Sequence, residues 1–248
     1  MKLKLSEAIE RAKKAGACEG DLKVLQSLPD CNVLDLKHEQ APFWAYWYAR
    51  KVMKGRWPEA EPIIMAEARY AYLYAKDVIR DRWPEAEKVI MRDAGLAYYY
   101  ARDVIQGRWI EAEPTIMAEA GYAYLYAKDV IRDRWPEAEK VIMRDAGLAY
   151  YYVSDVIQGR WIEAEPTIMA KAKYAYWYAQ NVIQGRWSEA EPTIMAEAEY
   201  AYYYARYVIK CRWPEAEPTI MTDTRSAYYY AKHVIKGLTE RKQHETKT

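Results

Sequence analysis

The sequence predicts an all-α fold, an α-solenoid of about seven and a half two-helix repeats of 26 residues with an N-terminal helical cap. Three observations predict it. The dipeptide Arg-Trp recurs at a fixed interval, and each interval contains two short amphipathic helical patterns. Two helices so short cannot bury their apolar sides without stacked neighbours, so the core is expected to run through successive repeats.

Seven Arg-Trp pairs define the repeat, each 26 residues from the next: Arg56-Trp57, Arg82-Trp83, Arg108-Trp109, Arg134-Trp135, Arg160-Trp161, Arg186-Trp187 and Arg212-Trp213. Residues 43–55 resemble the second half of a unit and supply the extra half repeat. Residues 71–122 and 123–174 differ at only four positions, Ala101/Val153, Arg102/Ser154, Glu119/Lys171 and Gly121/Lys173. This near identity indicates a recent duplication of two units.

The unit at residues 56–81 illustrates the two predicted helices. The first is expected at about 58–67 with an irregular first turn, where Pro58 suits a position whose N–H has no helical partner. The second is expected at about 69–80 and ends at the position of Asp81. Five other units have glycine there, and we expect it to take the left-handed conformation: Gly55, Gly107, Gly159, Gly185 and Gly237.

Arrays of this kind need covered ends. Residues 1–40 lack the repeat and are predicted to form the cap, with helices at about 6–15 and 21–28. The solenoid is predicted over residues 41–237. Residues 238–248 are polar and are predicted to be a disordered tail.

Composition limits the classes of protein to which the chain can belong. With 37 Lys and Arg against 36 Asp and Glu, the net charge of +1 disfavours binding of polyanions through bulk charge. No apolar run is long enough to span a bilayer, and the first residues lack the apolar segment of a secretion signal. Three cysteines, Cys18, Cys31 and Cys211, do not suggest a disulfide framework. We therefore expect a cytoplasmic protein without a membrane partner.

The repeat resembles a known sequence family. Units of the form R-W-P-E-A-E-P-x-I-M followed by x-A-Y-x-Y-A-x-x-V-I-x-G are similar to a tandem repeat of uncharacterised bacteriophage and prophage proteins, in which G-R-W-P-E-A-E recurs. The resemblance covers residues 43–237. It implies an all-helical solenoid and a phage or bacterial origin, hence the bacterial host cytoplasm, but no chemistry that can be transferred.

No motif of an enzyme, cofactor site or metal site is present. His38, His233 and His244 lie in unrelated contexts, without the spacing of a zinc site. There is also no nucleophile elbow, P-loop or dinucleotide-binding glycine motif. The glutamate at Glu61 recurs in all seven units, and a structural ion pair with Arg56, within the unit or from a neighbour, is favoured over acid–base catalysis. We predict a protein that is not an enzyme, with no catalytic residue, cofactor or metal.

The aromatic residues carry the remaining information, because the chain has 25 Tyr and 10 Trp but 1 Phe. Tyr74 and its equivalents are predicted to lie in the core with Ala71. Each buried hydroxyl then needs a partner, which the backbone, Glu61 or Arg56 of the adjoining unit can provide. Tyr72 and its equivalents are expected to pack between units.

A third set of residues is predicted to face outward from the second helices, with aromatic and basic side chains mixed. We call it the outward stripe: Trp47, Arg50, Lys54, Lys76, Arg80, Tyr99, Arg102, Lys128, Arg132, Tyr151, Trp177, Tyr203, Arg206 and Tyr229. One interpretation is a solvated face on which long side chains lie over rings. The other is a binding surface, since Tyr, Trp and Arg are enriched where binding energy concentrates.

Three functional hypotheses follow. The first is a repeat scaffold that binds one protein partner through the outward stripe, in its most specific form a phage-encoded inhibitor of a host defence or nucleic-acid-processing complex. The second is a solenoid that binds single-stranded nucleic acid or RNA by stacking bases beside cations. The third is a structural protein that forms homo-oligomers through the C-terminal repeat; otherwise the chain is a monomer.

Overall fold

The computed structural model describes residues 3–236, and within that range every regular element is helical. No β-strand occurs among these residues, and one isolated bridge pairs Lys4 with Asn32. The predicted all-α repeat is confirmed. Its second helices begin every 26 residues, apart from the first interval of 27: Ala41–Tyr48, Ala68–Tyr74, Ala94–Tyr100, Ala120–Tyr126, Ala146–Tyr152, Ala172–Tyr178, Ala198–Tyr204 and Thr224–Tyr230.

The first half of each unit is a short helix that follows the tryptophan. In several units it begins with a 3₁₀ turn, such as Pro58–Ala60, and the predicted irregular first turn is confirmed. The α-helical parts are Glu61–Ile64, Pro84–Ile90, Glu113–Met117, Pro136–Ile142, Glu165–Met169, Glu191–Met195 and Glu217–Ile220. Proline is accommodated in these first turns because the N–H that it lacks has no partner within the helix.

The second half of each unit ends in a wider turn that the sequence did not predict. After the α-helix, five residues form a π-helical turn; in one unit the Arg80 N–H donates to the Ala75 carbonyl at 2.7 Å. These turns are Ala49–Met53, Ala75–Ile79, Ala101–Ile105, Ala127–Ile131, Val153–Ile157, Ala179–Ile183, Ala205–Ile209 and Ala231–Ile235. Each second helix is therefore an α-helix that widens at its C-terminal end.

The residue that ends the π turn is left-handed, and it is not the predicted glycine. Gly185, for example, has an ordinary φ, whereas Gln184 immediately before it has a φ of 58°. The left-handed residues are Lys54, Arg80, Gln106, Arg132, Gln158, Gln184 and Lys210. The prediction was one position too late, because the π turn closes on the residue before the glycine. The equivalent Gly237 lies outside the described residues.

The left-handed position provides a test of this geometry. Gln184→Gly is expected to raise the free energy of unfolding by about 0.5–1 kcal/mol, because glycine lacks the Cβ that disfavours a positive φ. Gly185→Ala is expected to change it little, since no atom lies within 4 Å of the added Cβ. Chemical denaturation of the two variants measures both values. A larger loss for Gly185→Ala than for Gln184→Gly would contradict the assignment.

The buried residues repeat with the helices. In the unit at 56–81 the buried set includes Trp57, Ala60, Ile64, Ala71 and Tyr74, and all of these but the tryptophan have no exposed surface. The predicted burial of Tyr74 with Ala71 is thus confirmed. Because each unit is small, large aromatic rings account for much of the apolar surface that it buries.

The chain divides by internal contacts into two compact units, Met1–Tyr122 and Ala123–Thr248. The predicted cap lies within the first. Its helices are Leu5–Lys14 and Glu19–Ser27, with a 3₁₀ turn at Val33–Asp35, close to the predicted bounds. Leu5, Ile9, Ala12 and Leu22 form its buried cluster. The predicted tail at 238–248 lies outside the described residues.

Candidate functional site

The deepest polar site of each unit is built around the hydroxyl of the core tyrosine. In the second compact unit, Tyr178 Oη accepts a hydrogen bond from the Trp161 backbone N–H at 2.9 Å and donates to Glu165 Oε1 at 3.0 Å. The same carboxylate accepts two bonds from the Arg160 guanidinium, both at 2.9 Å. Burial raises the pKa of Tyr178 to about 12, opposed by the bond from Trp161. The arrangement ties the second helix of the unit to the start of its first helix.

This hydroxyl site recurs at Tyr74, Tyr100, Tyr152, Tyr204 and Tyr230 with the same partners. The predicted partner types are confirmed, but the bonds close within one 26-residue unit rather than reaching the adjoining one. Contact with the next unit is instead aromatic: the Tyr178 and Trp187 ring centroids are 5.1 Å apart.

A second polar row joins consecutive units near the surface. Tyr72 Oη donates to Asp103 of the next unit at 2.7 Å, and Lys76 Nζ donates to the same carboxylate at 2.8 Å. Burial raises the pKa of Asp103, but hydrogen bonds from Arg102, Lys76 and Tyr72 outweigh it and leave the pKa lowered. Tyr72 is buried and bonded across the boundary, so its predicted packing between units is confirmed.

The basic members of the outward stripe divide into two groups. Arg50, Lys76, Arg102 and Lys128 form ion pairs with aspartates of the second row. Lys54, Arg80 and Arg132 are instead left-handed residues at the ends of π turns. In the first compact unit both groups line a cleft without aromatic residues, which we call the basic cleft: Arg50, Lys51, Lys54, Gly55, Lys76, Asp77, Val78 and Arg80.

The aromatic members of the stripe also differ from one another. Trp47 does not face outward, because it packs against the buried cluster of the cap. Trp177, Tyr203 and Tyr229 are half-buried, and each lies against a tyrosine of the preceding unit: Tyr150–Trp177 at 5.5 Å, Tyr176–Tyr203 at 5.8 Å and Tyr202–Tyr229 at 6.3 Å between centroids. Arg206 donates to the Tyr202 hydroxyl and lies 4.8 Å from the Tyr207 ring.

One part of this aromatic row is open. A groove of about 580 Å³ in the second compact unit, which we call the aromatic groove, is lined by Tyr124, Lys128, Tyr150, Tyr151, Ser154, Asp155, Trp177 and Asn181. Tyr151 is 39% exposed. Asn181 Nδ2 donates to Tyr150 Oη at 2.9 Å, and Lys128 pairs with Asp155 at 2.8 Å. The groove therefore has aromatic walls and internally balanced charges.

The lining of the aromatic groove differs from the equivalent positions 52 residues earlier at three places: Ser154 replaces Arg102, Trp177 replaces Leu125 and Asn181 replaces Asp129. Arg102 lies over the rings of Tyr98 and Tyr99, at 5.1 and 4.9 Å from their centroids. Ser154 occupies the equivalent position in the second copy and is too short to cover Tyr150 and Tyr151. Sequence reasoning noted this substitution, but it placed neither Ser154 nor Asn181 at a site. The sequence feature that could have indicated the groove is the change from Arg102 to Ser154, which removes a cation beside two tyrosines.

Comparison with family models, with curated proteins and with solved structures found no match to this chain. Among residues 3–236, no group of three or more His, Cys, Asp or Glu residues is arranged to hold a metal ion. None of the helices in the described range combines the length and the apolar character that crossing a bilayer requires.

Proposed function

We propose that the protein is a non-enzymatic repeat scaffold that binds one protein partner in the aromatic groove. The observation that carries the proposal is the replacement of the covering arginine by Ser154, beside which Tyr151 is exposed and Trp177 half-buried in the groove, whereas Arg102 lies over Tyr98 and Tyr99 in the other copy. Exposed tyrosine and tryptophan in a concave site are typical of binding hot spots.

The charges of the groove favour a protein over a nucleic acid. Among the lining residues Lys128 and Asp155 neutralise each other, and Lys173, whose amine lies 4.6 Å from the centroid of the Trp177 ring, adds a single positive charge beside the groove. The Ser154 hydroxyl and the Asn181 amide supply hydrogen-bonding groups beside the rings. These features suit a segment with an aromatic or aliphatic side chain flanked by backbone amides. The narrower hypothesis, inhibition of a host defence or nucleic-acid-processing complex, is supported only by the phage resemblance.

Ser154→Arg tests the proposal by restoring the covering side chain. We expect the variant to keep its helicity and to bind the partner at least about tenfold more weakly, because arginine fills the groove and stacks on the rings. The partner is first captured from bacterial lysate and identified, and its affinity for each variant is then measured by calorimetry.

Arg102→Ser is the matched control. It makes the reverse change in the other copy without touching the groove, and it is expected to keep partner binding. Tyr151→Ala and Trp177→Ala should weaken binding as Ser154→Arg does. If all three groove variants bind the partner with unchanged affinity, the proposal is wrong.

Nucleic acid binding is a second candidate because of the basic cleft, which holds five cations and one carboxylate in the first compact unit. The salt dependence of the binding affinity distinguishes the two candidate functions. Binding of an oligonucleotide through the cleft would weaken steeply as salt rises, and would depend on Lys51, Lys54 and Arg80 rather than on Ser154. Binding in the aromatic groove would change little with salt.

Self-association remains a third candidate. Tyr228 is 59% exposed, whereas Tyr202 at the same position of the preceding repeat is 3% exposed. An exposed ring of this size favours contact with another copy of the chain. A monomer at high concentration in analytical ultracentrifugation excludes this candidate.

A further inference from the structure

An apolar cavity of about 300 Å³ lies in the first compact unit, where the cap meets the first repeat. It is bounded by the helices Leu5–Lys14, Glu19–Ser27 and Ala41–Tyr48 and by the start of the following repeat at Trp57. The walls are mostly aliphatic and aromatic, among them Leu5, Ile9, Leu25, Val33, Phe43 and Trp47. The space is separate from the aromatic groove.

The size and lining of this cavity suit a small organic molecule. Sites for small molecules begin at about 300 Å³ and are lined mainly by apolar side chains with few polar groups. Apolar cavities of about half that volume exclude water yet bind benzene in other proteins. A tightly packed core has no comparable space.

One hydroxyl in the cavity wall lacks a hydrogen-bond acceptor. Tyr48 is 6% exposed, and the proton of its buried hydroxyl has no acceptor in the structure. Its equivalents are satisfied by a tryptophan N–H 17 residues earlier and a glutamate 13 residues earlier, as in the pairs Trp57–Tyr74 and Glu61–Tyr74. At those distances before Tyr48 the chain has Cys31 and Asp35, because the cap replaces the first half of the repeat.

The Tyr48 hydroxyl lies near one positive charge. Burial raises the pKa of Tyr48, and the charge of the Arg11 guanidinium and a hydrogen bond from it oppose that effect. Because arginine only donates, this contact leaves the hydroxyl proton without an acceptor. Arg11 itself is exposed at the surface, where it pairs with Glu7. A buried donor beside an exposed cation, with an apolar cavity behind them, is complementary to a molecule with an anionic head and an apolar tail.

We propose that this cavity binds a small apolar carboxylate, such as a medium-chain fatty acid. The tail occupies the space between cap and first repeat, and the carboxylate accepts a hydrogen bond from Tyr48 Oη on the side of Arg11. Binding then supplies the partner that the repeat itself supplies to the equivalent tyrosines. The proposal does not depend on the protein-binding function of the aromatic groove.

The test is calorimetric titration of the full chain with decanoate, and with decanol as the uncharged probe. Tyr48→Phe removes the hydroxyl and leaves no buried group unpaired, since the exposed Arg11 still pairs with Glu7, so it should fold normally and bind decanoate about tenfold more weakly. Val33→Phe fills the cavity and should abolish binding. Tyr178→Phe, which alters a satisfied hydroxyl of the other compact unit, should bind as the unchanged chain does.

Four results would overturn the proposal. They are no binding of decanoate, unchanged binding by Tyr48→Phe, unchanged binding by Val33→Phe, and binding of decanol as tight as that of decanoate. Circular dichroism of each variant establishes that the helices are intact, and the unfolding midpoint of Tyr48→Phe should rise less with decanoate than that of the unchanged chain.

Discussion

Raising the pH from about 10 to about 12 is expected to unfold the repeat cooperatively. Burial raises the pKa of Tyr74, Tyr152, Tyr178 and Tyr230 to about 12, against an ordinary value of 10.0, and bonds from tryptophan N–H groups oppose it only in part. The folded state therefore holds these protons more tightly than the unfolded state does. The contribution of these hydroxyls to the free energy of unfolding is fully present below pH 10 and is lost as the pH rises through 12.

The expected size of this effect is large. A pKa raised by about two units favours the folded state by about 3 kcal/mol while the hydroxyl is protonated. Because the hydroxyl site recurs along the chain, this contribution is lost in several units over the same pH range. Tyrosinate absorbance and far-ultraviolet circular dichroism should change together in a titration.

Tyr178→Phe is the control for the alkaline transition. It removes one titrating hydroxyl, so the stability of the variant should depend less on pH between 10 and 12. At neutral pH it should be less stable by about 1–3 kcal/mol, because the Trp161 N–H loses its acceptor. Tyrosines that ionise near pH 10 while helicity persists would contradict the buried hydroxyl sites.

Trp161→Ala is expected to lower the free energy of unfolding by about 3–5 kcal/mol, the cost of removing a large buried aromatic ring. Trp161 is 2% exposed, and its ring centroid lies 5.3 Å from that of Tyr152 in the preceding unit. The substitution therefore opens a cavity at a contact between repeats. Because repeat stability depends on such nearest-neighbour contacts, unfolding should also become less cooperative.

The neighbouring residue provides the matched control. Ile162 is 69% exposed, and Ile162→Ala should change the free energy of unfolding by less than about 0.5 kcal/mol. Urea denaturation followed by circular dichroism measures both variants. Equal losses at the two positions would mean that the tryptophan does not hold adjacent repeats together.

The periodic part of the fold could be predicted from the sequence because it depends on local pattern. A fixed spacing of Arg-Trp and two apolar stripes defined both helices and the burial of Tyr74. The partners of the tyrosine hydroxyl were also predictable, because few polar groups can reach the core. It could not be predicted that these hydrogen bonds form within one unit, because the spacing of the residues does not show whether a glutamate faces its own unit or the next.

The geometry of the outward stripe differs from the predicted one. The prediction took the second helix as regular up to Arg80, whereas a π turn begins at Ala75. Lys54 and Arg80 are left-handed residues at the ends of such turns and line the basic cleft together with Arg50 and Lys76. Trp47 was predicted to face outward, but it packs against the cap. Local periodicity does not reveal a contact with a segment that is distant in sequence.

The closed hydroxyl site also bears on how such a chain can change in length. The hydrogen bonds of this site all lie within a single 26-residue stretch, as they do among Arg160, Trp161, Glu165 and Tyr178. Removing or adding a whole stretch therefore leaves none of these buried groups without its partner. Such a change disturbs only the contacts between neighbours, which are the aromatic pairs and the polar row near the surface. Tyr48, where such a stretch is divided, is the copy whose hydroxyl is left without these partners.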